Sequence, residues 1–194
     1  MLGKPTIMNM YADGCAGCAI SQGLRQVPGG VVKLFGNWTV NHYNGDEGYL
    51  GWLALQPRFH RMALRELTES ELQSLGPNIR DLDIFLTRYW DLQYPDDPIL
   101  RVYVVYFFES AFQRPPEKEP FHLHIHVIPR FRSLDSEGCL QRTENEITWV
   151  DGWAVPSLAP RQAVSEPYKR DLPGWRERAS GLMGYLRQEL SARP

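Results

Sequence analysis

The sequence has 194 residues, of which 43% are hydrophobic and 23% charged, and this composition is typical of a soluble globular protein with one sizeable domain. Its 21 basic and 23 acidic residues give a formal net charge of −2, with no basic block in either half. This balance argues against a nucleic-acid polymer as partner, because binding to a phosphate backbone requires clustered Lys and Arg. A small anionic ligand stays open, since it needs only a few local donors.

No stretch of the sequence predicts a targeting signal or a membrane span. Residues 1–14 lack a sustained apolar core followed by a small-residue cleavage site. The longest uninterrupted apolar run, Val102 to Phe108, is far too short to cross a bilayer. The three cysteines, Cys15, Cys18 and Cys139, do not form an even disulfide framework. We therefore expect a cytoplasmic protein with reduced thiols and no membrane partner.

The first half of the chain predicts three short strands followed by one long helix. Apolar and β-branched residues fill the segments VVKLFG, NWTVNHY and LGWLALQ, which turn residues separate. Thr68 and Glu71 fit a capping box at the start of the helix. Gly76-Pro77 is expected to kink this helix or delay its start. The apolar stripe follows at spacings of three and four residues, as Leu72, Leu75, Ile79, Leu82, Leu86 and Tyr89.

Two further strands, RVYVVYFFE and FHLHIHVIPR, come after the helix. Strands and helix are segregated along the chain, and this order is typical of an α+β fold. Beyond them, EITWVDGWAVP predicts a strand or hairpin, and PGWRERASGLMGYLRQEL predicts a terminal helix. The apolar face of that helix consists of Trp175, Leu182, Tyr185, Leu186 and Leu190.

The segment PFHLHIHVIPR places three of the five histidines at alternate positions, His122, His124 and His126. Because successive side chains of a strand point to opposite faces, the histidines share one face and the intervening Leu, Ile and Val share the core face. On a strand the outer two Cα atoms lie about 13 Å apart, which is too far for three imidazoles to reach one metal ion through bonds of about 2 Å. An imidazole can be a nucleophile, a metal ligand or a proton donor, so we expect the three histidines of the row to have different functions.

This segment resembles the signature of the histidine triad (HIT) superfamily, His-h-His-h-His-h-h with h an apolar residue, and HLHIHVI satisfies every position. CAGC, TVNHY…GWLALQPRFH and LRELTESEL also resemble family segments. The resemblance implies an α+β domain at residues 1–132, an antiparallel sheet with the long helix packed on it, and a homodimer. Residues 133–194 lie beyond the resemblance, and we expect them to form a C-terminal strand and helix extension packed on the same domain.

The resemblance also implies roles for individual residues. HIT proteins hydrolyse or transfer nucleoside phosphates at the α-phosphorus through a covalent nucleotidyl-histidine, and His124 matches that nucleophile. His126 matches the histidine that contacts the phosphate or leaving group, where as a cation it would offset developing negative charge. Asn41 matches an asparagine that meets the ribose, and an ordinary strand-end asparagine is an equal alternative. Gln113 resembles a glutamine that contacts a phosphate oxygen, at a different spacing.

A second set of residues resembles the metal site of the zinc-bearing branch. There a CxxC pair, a histidine after a Pro-x-x element and the first triad histidine hold the ion. Cys15, Cys18, His60 and His122 match these ligands in the same order and make a closed Cys2His2 set. The resemblance thus implies a structural zinc ion, and two buried small cysteines are the alternative explanation of CAGC.

Two positions depart from the family pattern. Trp52 stands where the family usually has a histidine, and an indole can stack on a nucleobase but cannot accept a hydrogen bond or act as a base. Glu119 stands where a Ser or Thr is usual, and its carboxylate would repel a phosphate. Trp52 is therefore a candidate substrate contact, and substrate choice is not expected to follow the family.

These observations favour a nucleotide hydrolase that acts on a dinucleoside polyphosphate or a similar adenosine phosphate ester. A nucleotidyltransferase or phosphorylase of the same superfamily is the nearest alternative, although the transferases typically carry Gln at the position of His126. Trp52 and Glu119 support a third possibility, a zinc-stabilised nucleotide-binding protein with weak or no turnover. A metalloenzyme that uses the histidine row with a carboxylate is the fourth.

Overall fold

The computed structural model describes residues 10–43, 49–106, 120–132 and 174–191. Its strands are β1 (Val31–Leu34), β2 (Trp38–His42), β3 (Leu53–Pro57), β4 (Ile99–Val105) and β5 (Ile125–Phe131). Its helices are α1 (Ala16–Ser21), α2 (Glu69–Gln93) and α3 (Trp175–Ser191), with a 3-10 turn at Leu64–Glu66. The strands form one antiparallel sheet in the order β1-β2-β3-β5-β4. The predicted α+β fold is therefore confirmed.

Several residues named from the sequence lie outside the described parts of the chain. They are Gln113, Glu119, Cys139 and the predicted strand or hairpin at 146–156. Within the described parts, none of the helices combines the length and the apolar character that crossing a bilayer requires.

The turn between β1 and β2 brings α2 against the sheet. Gly36 and Asn37 adopt left-handed backbone angles, with φ of 71° and 65°, and these close the hairpin. A Cβ atom at Gly36 would collide with the Ser74 side chain of α2. Asn78 of the same helix donates from Nδ2 to the Phe35 carbonyl at 2.9 Å. The hairpin turn and the first three turns of α2 thus pack directly on each other.

Helix α2 starts where the sequence predicts and differs in two details. Thr68 Oγ1 accepts from Glu71 N at 3.2 Å and Glu71 Oε2 accepts from Thr68 N at 2.7 Å, so the capping box is confirmed. The helix runs through Pro77 as one element, so the expected delay of its start is wrong. Leu72 is 46% exposed, and the apolar stripe begins one turn later at Leu75. The first turns instead bury polar side chains that bond to the β1–β2 turn and to neighbouring backbone.

Helices α2 and α3 cover the same face of the sheet. Trp38 Nε1 donates to the Glu71 carbonyl of α2 at 2.8 Å. The His42 ring meets the Trp175 ring of α3 edge-on, with ring centroids 5.0 Å apart. Trp38 and His42 are four residues apart on β2, so their side chains point to one face. The apolar side of α3 that the sequence predicts is buried there or packed against the core, through Trp175, Leu182, Tyr185, Leu186 and Leu190.

The histidine segment joins the sheet only in its second half. Strand β5 begins at Ile125, so His126 lies in a strand while His122 and His124 precede it, which corrects the prediction of one continuous strand. The last pair with β3 is Leu55 with Ile125. Before that pair, Leu123 N donates to the carbonyl of Arg61 at 2.7 Å, in the irregular chain beyond β3. The alternate Leu, Ile and Val residues of the segment are buried, as the sequence predicts.

Candidate active site and metal cluster

The candidate site lies on the sheet face opposite α2 and α3. The strand register pairs Asn41 with Ala54 and Ala54 with His126, so the three residues form one row across β2, β3 and β5. Side chains of paired residues share a face, and Asn41 alternates with the helix-covered residues of β2. Neighbouring strands are about 4.8 Å apart, so the Cα atoms of Asn41 and His126 lie about 10 Å apart. Helix α1 lies on this face, where Ser21 Oγ is 3.3 Å from Thr39 Oγ1.

The predicted metal ligands come together beside this row. Cys15, Cys18, His60 and His122 each offer one ligand atom, and the four atoms lie within 4.8 Å of one another. Cys15 is the N-cap of α1, and its Sγ accepts from Cys18 N at 3.4 Å, so the first turn of the helix aims both sulfur atoms at one point. His60 follows β3 and is half-buried, whereas the other three are buried.

The surroundings of His122 prepare its Nδ1 atom for a metal ion. His122 Nε2 lies 2.9 Å from the Pro57 carbonyl oxygen, which can only accept, so the ring hydrogen is on Nε2 and the lone pair on Nδ1. Nδ1 lies 3.4 Å from Cys15 Sγ and 3.4 Å from Cys18 Sγ. Burial lowers the pKa of His122 to about 4, so the ring is neutral near pH 7. A neutral imidazole with its other N–H held by a carbonyl is the usual form of a zinc ligand.

The two cysteine thiols of the cluster are also suitable ligands for a cation. Burial raises the pKa of Cys15 to about 11, which favours the neutral thiol in the protein alone. A nearby cation reverses this preference, because it stabilises the thiolate that serves as ligand. Two thiolates and two imidazoles in a buried, closed set make the donor group of a tetrahedral structural zinc site.

Gly17 is a structural requirement of the cluster that the sequence did not point out. A Cβ atom at this position would overlap Cβ and Cγ of His122 and lie 2.8 Å from its Nδ1. The backbone of α1 therefore rests directly on the His122 ring, and only glycine leaves room for it. The glycine inside CAGC was the available signal, although a sequence does not reveal which side chain it faces.

His124 has the tautomer that a nucleophile needs. Its Nδ1 lies 2.8 Å from the His122 carbonyl oxygen, so the hydrogen is on Nδ1 and Nε2 carries the lone pair. The side chain is half-buried, in contrast to the buried His122 and His126. Its ring meets the His126 ring edge-on, with centroids 4.8 Å apart. Of the three histidines, His124 is therefore the one that keeps some exposure to solvent.

His126 has the opposite tautomer, and Trp52 is the cause. Trp52 Nε1 donates to His126 Nδ1 at 2.8 Å, so Nδ1 carries a lone pair and the hydrogen is on Nε2. Burial, and secondarily the neighbouring His124, lower the pKa of His126 to about 3. The sequence suggested that His126 acts as a cation. The structure corrects this to a neutral N–H donor, because an imidazolium would direct a second hydrogen at the indole N–H.

The position of Trp52 also changes its interpretation. Only 2% of the residue is exposed, so its ring is not a surface on which a nucleobase can stack. Tyr43 covers it, with stacked rings whose centroids are 5.1 Å apart, and Tyr43 also meets His126 edge-on at 4.9 Å. Tyr43 is half-buried. It ends the segment TVNHY, but the family resemblance assigns it no role, so the sequence did not point it out. Among the described residues, Tyr43 is thus the aromatic side chain in this group that is only half-buried.

His42 does not take the place of the histidine that the family usually has. Its Nε2 accepts from Gly51 N at 3.0 Å, and its Nδ1 donates to the Tyr43 carbonyl at 3.0 Å. The side chain is fully buried on the helix-covered face. His42 therefore connects the two ends of the β2–β3 loop and lies on the other side of the sheet from the triad.

Asn41 lies on the triad face with one side-chain acceptor left over. It is 3% exposed, and its Nδ2 donates to the His42 carbonyl at 2.9 Å. Its Oδ1 has no hydrogen-bond partner among the described residues, although it is buried. A buried acceptor without a partner is costly, and a hydroxyl group of a ligand would satisfy it.

Comparison with known proteins gives structural matches only. No protein-family model and no curated protein matches the sequence. The chain is similar to the crystal structure of SMU.412c from Streptococcus mutans UA159, with 17% identity and a TM-score of 0.51 over 76% of this chain and 83% of that chain. It is also similar to a HIT family protein from Bacillus anthracis str. 'Ames Ancestor', with 17% identity and a TM-score of 0.46 over 69% of this chain and 85% of that chain.

A third match is a Zn-bound histidine triad family protein from Mycobacterium smegmatis, with 14% identity and a TM-score of 0.49 over 92% of this chain and 97% of that chain. At identities of 14% to 17% these matches concern the fold alone. The chain shares its fold with SMU.412c, and the solved structures to which it is similar include histidine triad proteins.

Proposed function

We propose that this chain is a HIT-type nucleotide hydrolase that cleaves at the α-phosphorus of a dinucleoside polyphosphate or a related adenosine phosphate ester. His124 is the nucleophile, and the intermediate is a covalent nucleotidyl-histidine. The observation that supports this most directly is the 2.8 Å bond between His124 Nδ1 and the His122 carbonyl. It holds the proton away from Nε2, and it stabilises the positive charge that the ring gains when Nε2 bonds to phosphorus.

The reaction has two displacement steps at one phosphorus atom. In the first, the Nε2 lone pair of His124 forms the P–N bond, and the bond from phosphorus to the bridging oxygen breaks with its electron pair leaving on that oxygen. In the second, a water oxygen bonds to the phosphorus, the P–N electron pair returns to Nε2, and the water proton passes to solvent. The hydrogen on His124 Nδ1 stays there throughout and keeps donating to the His122 carbonyl.

His126 and Asn41 complete the substrate contacts in this proposal. The Nε2–H of His126 donates to the oxygen that gains negative charge as the phosphorus–oxygen bond breaks. Asn41 Oδ1 accepts from a ribose hydroxyl, which supplies the partner that this buried atom otherwise lacks. Both residues belong to the same row across the sheet, so one nucleotide lying along that row reaches both.

We also propose that Cys15, Cys18, His60 and His122 hold a structural zinc ion. Bound there, zinc cross-links α1, the chain after β3 and the segment before β5. It thereby fixes the His122 carbonyl that orients His124. Metal analysis of the purified protein should give one zinc per chain, and Cys18→Ser should lower both zinc content and melting temperature. A wild-type protein that binds no zinc at any stage of purification would contradict this assignment.

The test of the enzyme proposal uses His124 variants and a diadenosine polyphosphate. We expect His124→Ala to abolish turnover, and His124→Gly to regain part of it when imidazole is added, since free imidazole can occupy the vacated space. Quenching with an alkaline denaturant after labelled substrate should leave an alkali-stable, acid-labile phosphoramidate on the wild type and not on the alanine variant. Full turnover by His124→Ala would refute the mechanism.

Product analysis separates hydrolysis from the alternatives. With inorganic phosphate in the assay, a hydrolase still releases the nucleoside monophosphate, whereas a phosphorylase releases the diphosphate. A tight nucleotide complex with no product and no adduct after long incubation would replace the enzyme proposal with a binding function.

A further inference from the structure

The indole of Trp52 is held in one orientation by the residues around it. Its backbone N donates to the Tyr49 carbonyl at 3.0 Å, and its carbonyl accepts from Tyr43 N at 2.8 Å. The Tyr43 ring stacks on the indole, and the Tyr49 ring meets it edge-on with centroids 5.5 Å apart. Since the side chain is also buried, its N–H has a fixed direction, and that direction leads to His126 Nδ1 at 2.8 Å.

We propose that Trp52 is a positioning residue that holds His126 as the neutral Nε2–H tautomer, so that the third triad histidine acts as a permanent hydrogen-bond donor. An indole N–H can only donate, so the atom it contacts must be an acceptor. A neutral imidazole has one acceptor nitrogen and one N–H, whereas an imidazolium has two N–H groups and no acceptor. Protonation of His126 therefore requires the bond to Trp52 to break.

The described contacts of His126 leave this assignment in place. From its own segment His124 faces it, and a charge on His124 would oppose a second positive charge. From the end of β2 it meets Tyr43, and its cross-strand partners are Ala54 of β3 and Val105 of β4. Among the described residues no carboxylate contributes to its pKa, which burial lowers to about 3. Geometry and environment thus favour the same neutral form.

The catalytic consequence rests on the proposed function. Two neighbouring imidazoles are fixed in opposite tautomers, since His124 has its lone pair on Nε2 and His126 has its hydrogen there. One ring is then suited to attack phosphorus while the other donates to an oxygen on the same phosphorus. No proton needs to move between them, so activity should show no ionisation of His126 between pH 5 and pH 8.

The tautomer itself can be measured without any substrate. In the purified full-length protein with labelled histidine and tryptophan, long-range proton–nitrogen spectra should show His126 protonated on Nε2 and constant from pH 8 to pH 5. A scalar coupling between Trp52 Nε1 and His126 Nδ1 should be visible across the N–H···N bond. A hydrogen on Nδ1, or titration of His126 in this range, would overturn the proposal, even if the protein proves to have no hydrolase activity.

A variant then tests whether Trp52 is the cause. Trp52→Phe keeps an aromatic ring and removes the donor, and we expect His126 to populate both tautomers. We expect kcat to fall about 10- to 100-fold, as for other residues that orient a functional group, with a smaller change in KM. Trp90→Phe, a matched change in the core beside Phe131, controls for the loss of an indole. If Trp52→Phe retains the wild-type tautomer and kcat, Trp52 has no positioning role. If the variant does not fold, the scalar coupling in the wild type decides the question.

Discussion

The buried neutral His126 should make the unfolding free energy depend on pH. Burial lowers the pKa of His126 from 6.5 to about 3 in the folded chain. Between these values the unfolded chain binds a proton that the folded chain does not bind, so stability is complete above pH 6.5 and falls as the pH is lowered. Stability therefore rises with pH, as expected for a histidine that is buried in its neutral form. A histidine that gains a carboxylate partner on folding would have the opposite pH dependence.

The magnitude follows from the two pKa values. At pH 7.5 the unfolded histidine is about one-tenth protonated, and at pH 5.5 about nine-tenths protonated, while folded His126 stays neutral at both. The contribution of this residue to the unfolding free energy therefore falls by about 1.4 kcal/mol between the two pH values. Both lie more than two units above the folded pKa of about 3, so the result depends mainly on the unfolded chain.

Urea unfolding of the wild type and of His126→Gln at pH 7.5 and 5.5 measures this contribution. Gln retains an acceptor for the Trp52 N–H and does not titrate. The other histidines and the metal cluster are common to both proteins, so their contributions cancel in the difference. We expect the wild type to lose about 1.4 kcal/mol more than the variant on acidification. Equal losses in the two proteins would mean that His126 is protonated in the folded chain, and would refute the reasoning.

Two glycines give further tests of packing. Gly17→Ala should weaken zinc binding about 10- to 100-fold, because the new methyl group displaces the His122 ring, and a competition titration with a chelator measures this. Gly76→Ala, a helical glycine with open space around its added Cβ, should leave zinc binding unchanged. Gly29→Ala should lower the unfolding free energy by about 1–3 kcal/mol more than Gly23→Ala. Both glycines have φ above 70°, but only an added Cβ at Gly29 collides with α3, so similar losses would contradict the packing of that helix.

The elements that the sequence predicts correctly are those set by local interactions. The capping box of Thr68 and Glu71 needs only residues three apart, and the strand segments follow from alternation and turn residues. The four residues of the candidate metal cluster were also predictable, because few residue types bind zinc and their order matches a known pattern. The structure adds that the four ligand atoms lie within 4.8 Å of one another, which composition and spacing alone do not establish.

The features that could not be predicted from the sequence depend on contacts between distant segments. Strand β5 begins at Ile125 because its pairing with β3 ends at Leu55, although β3 itself runs on to Pro57, and a strand's own sequence does not show where its pairing stops. Leu72 fits the apolar stripe of α2 by spacing but is exposed, because the first turns of that helix face the β1–β2 turn rather than the core. Periodicity gives the direction of a side chain on its own helix and says nothing of where the neighbouring elements end.

The roles of the three triad histidines show the same dependence on long-range contacts. As side chains they are identical, and alternation gives them a common face. Their differences come from the group that each ring contacts. The Pro57 carbonyl accepts from Nε2–H of His122 and so leaves its Nδ1 facing the cysteines, and the His122 carbonyl accepts from Nδ1–H of His124. The indole N–H of Trp52, 74 residues away, donates a hydrogen bond to Nδ1 of His126. The hydrogen of the His126 ring is therefore on Nε2, which is the opposite tautomer to that of His124. Trp52, which the sequence marks as a departure from the family pattern, is thus in the proposed mechanism the reason that His126 donates while His124 attacks.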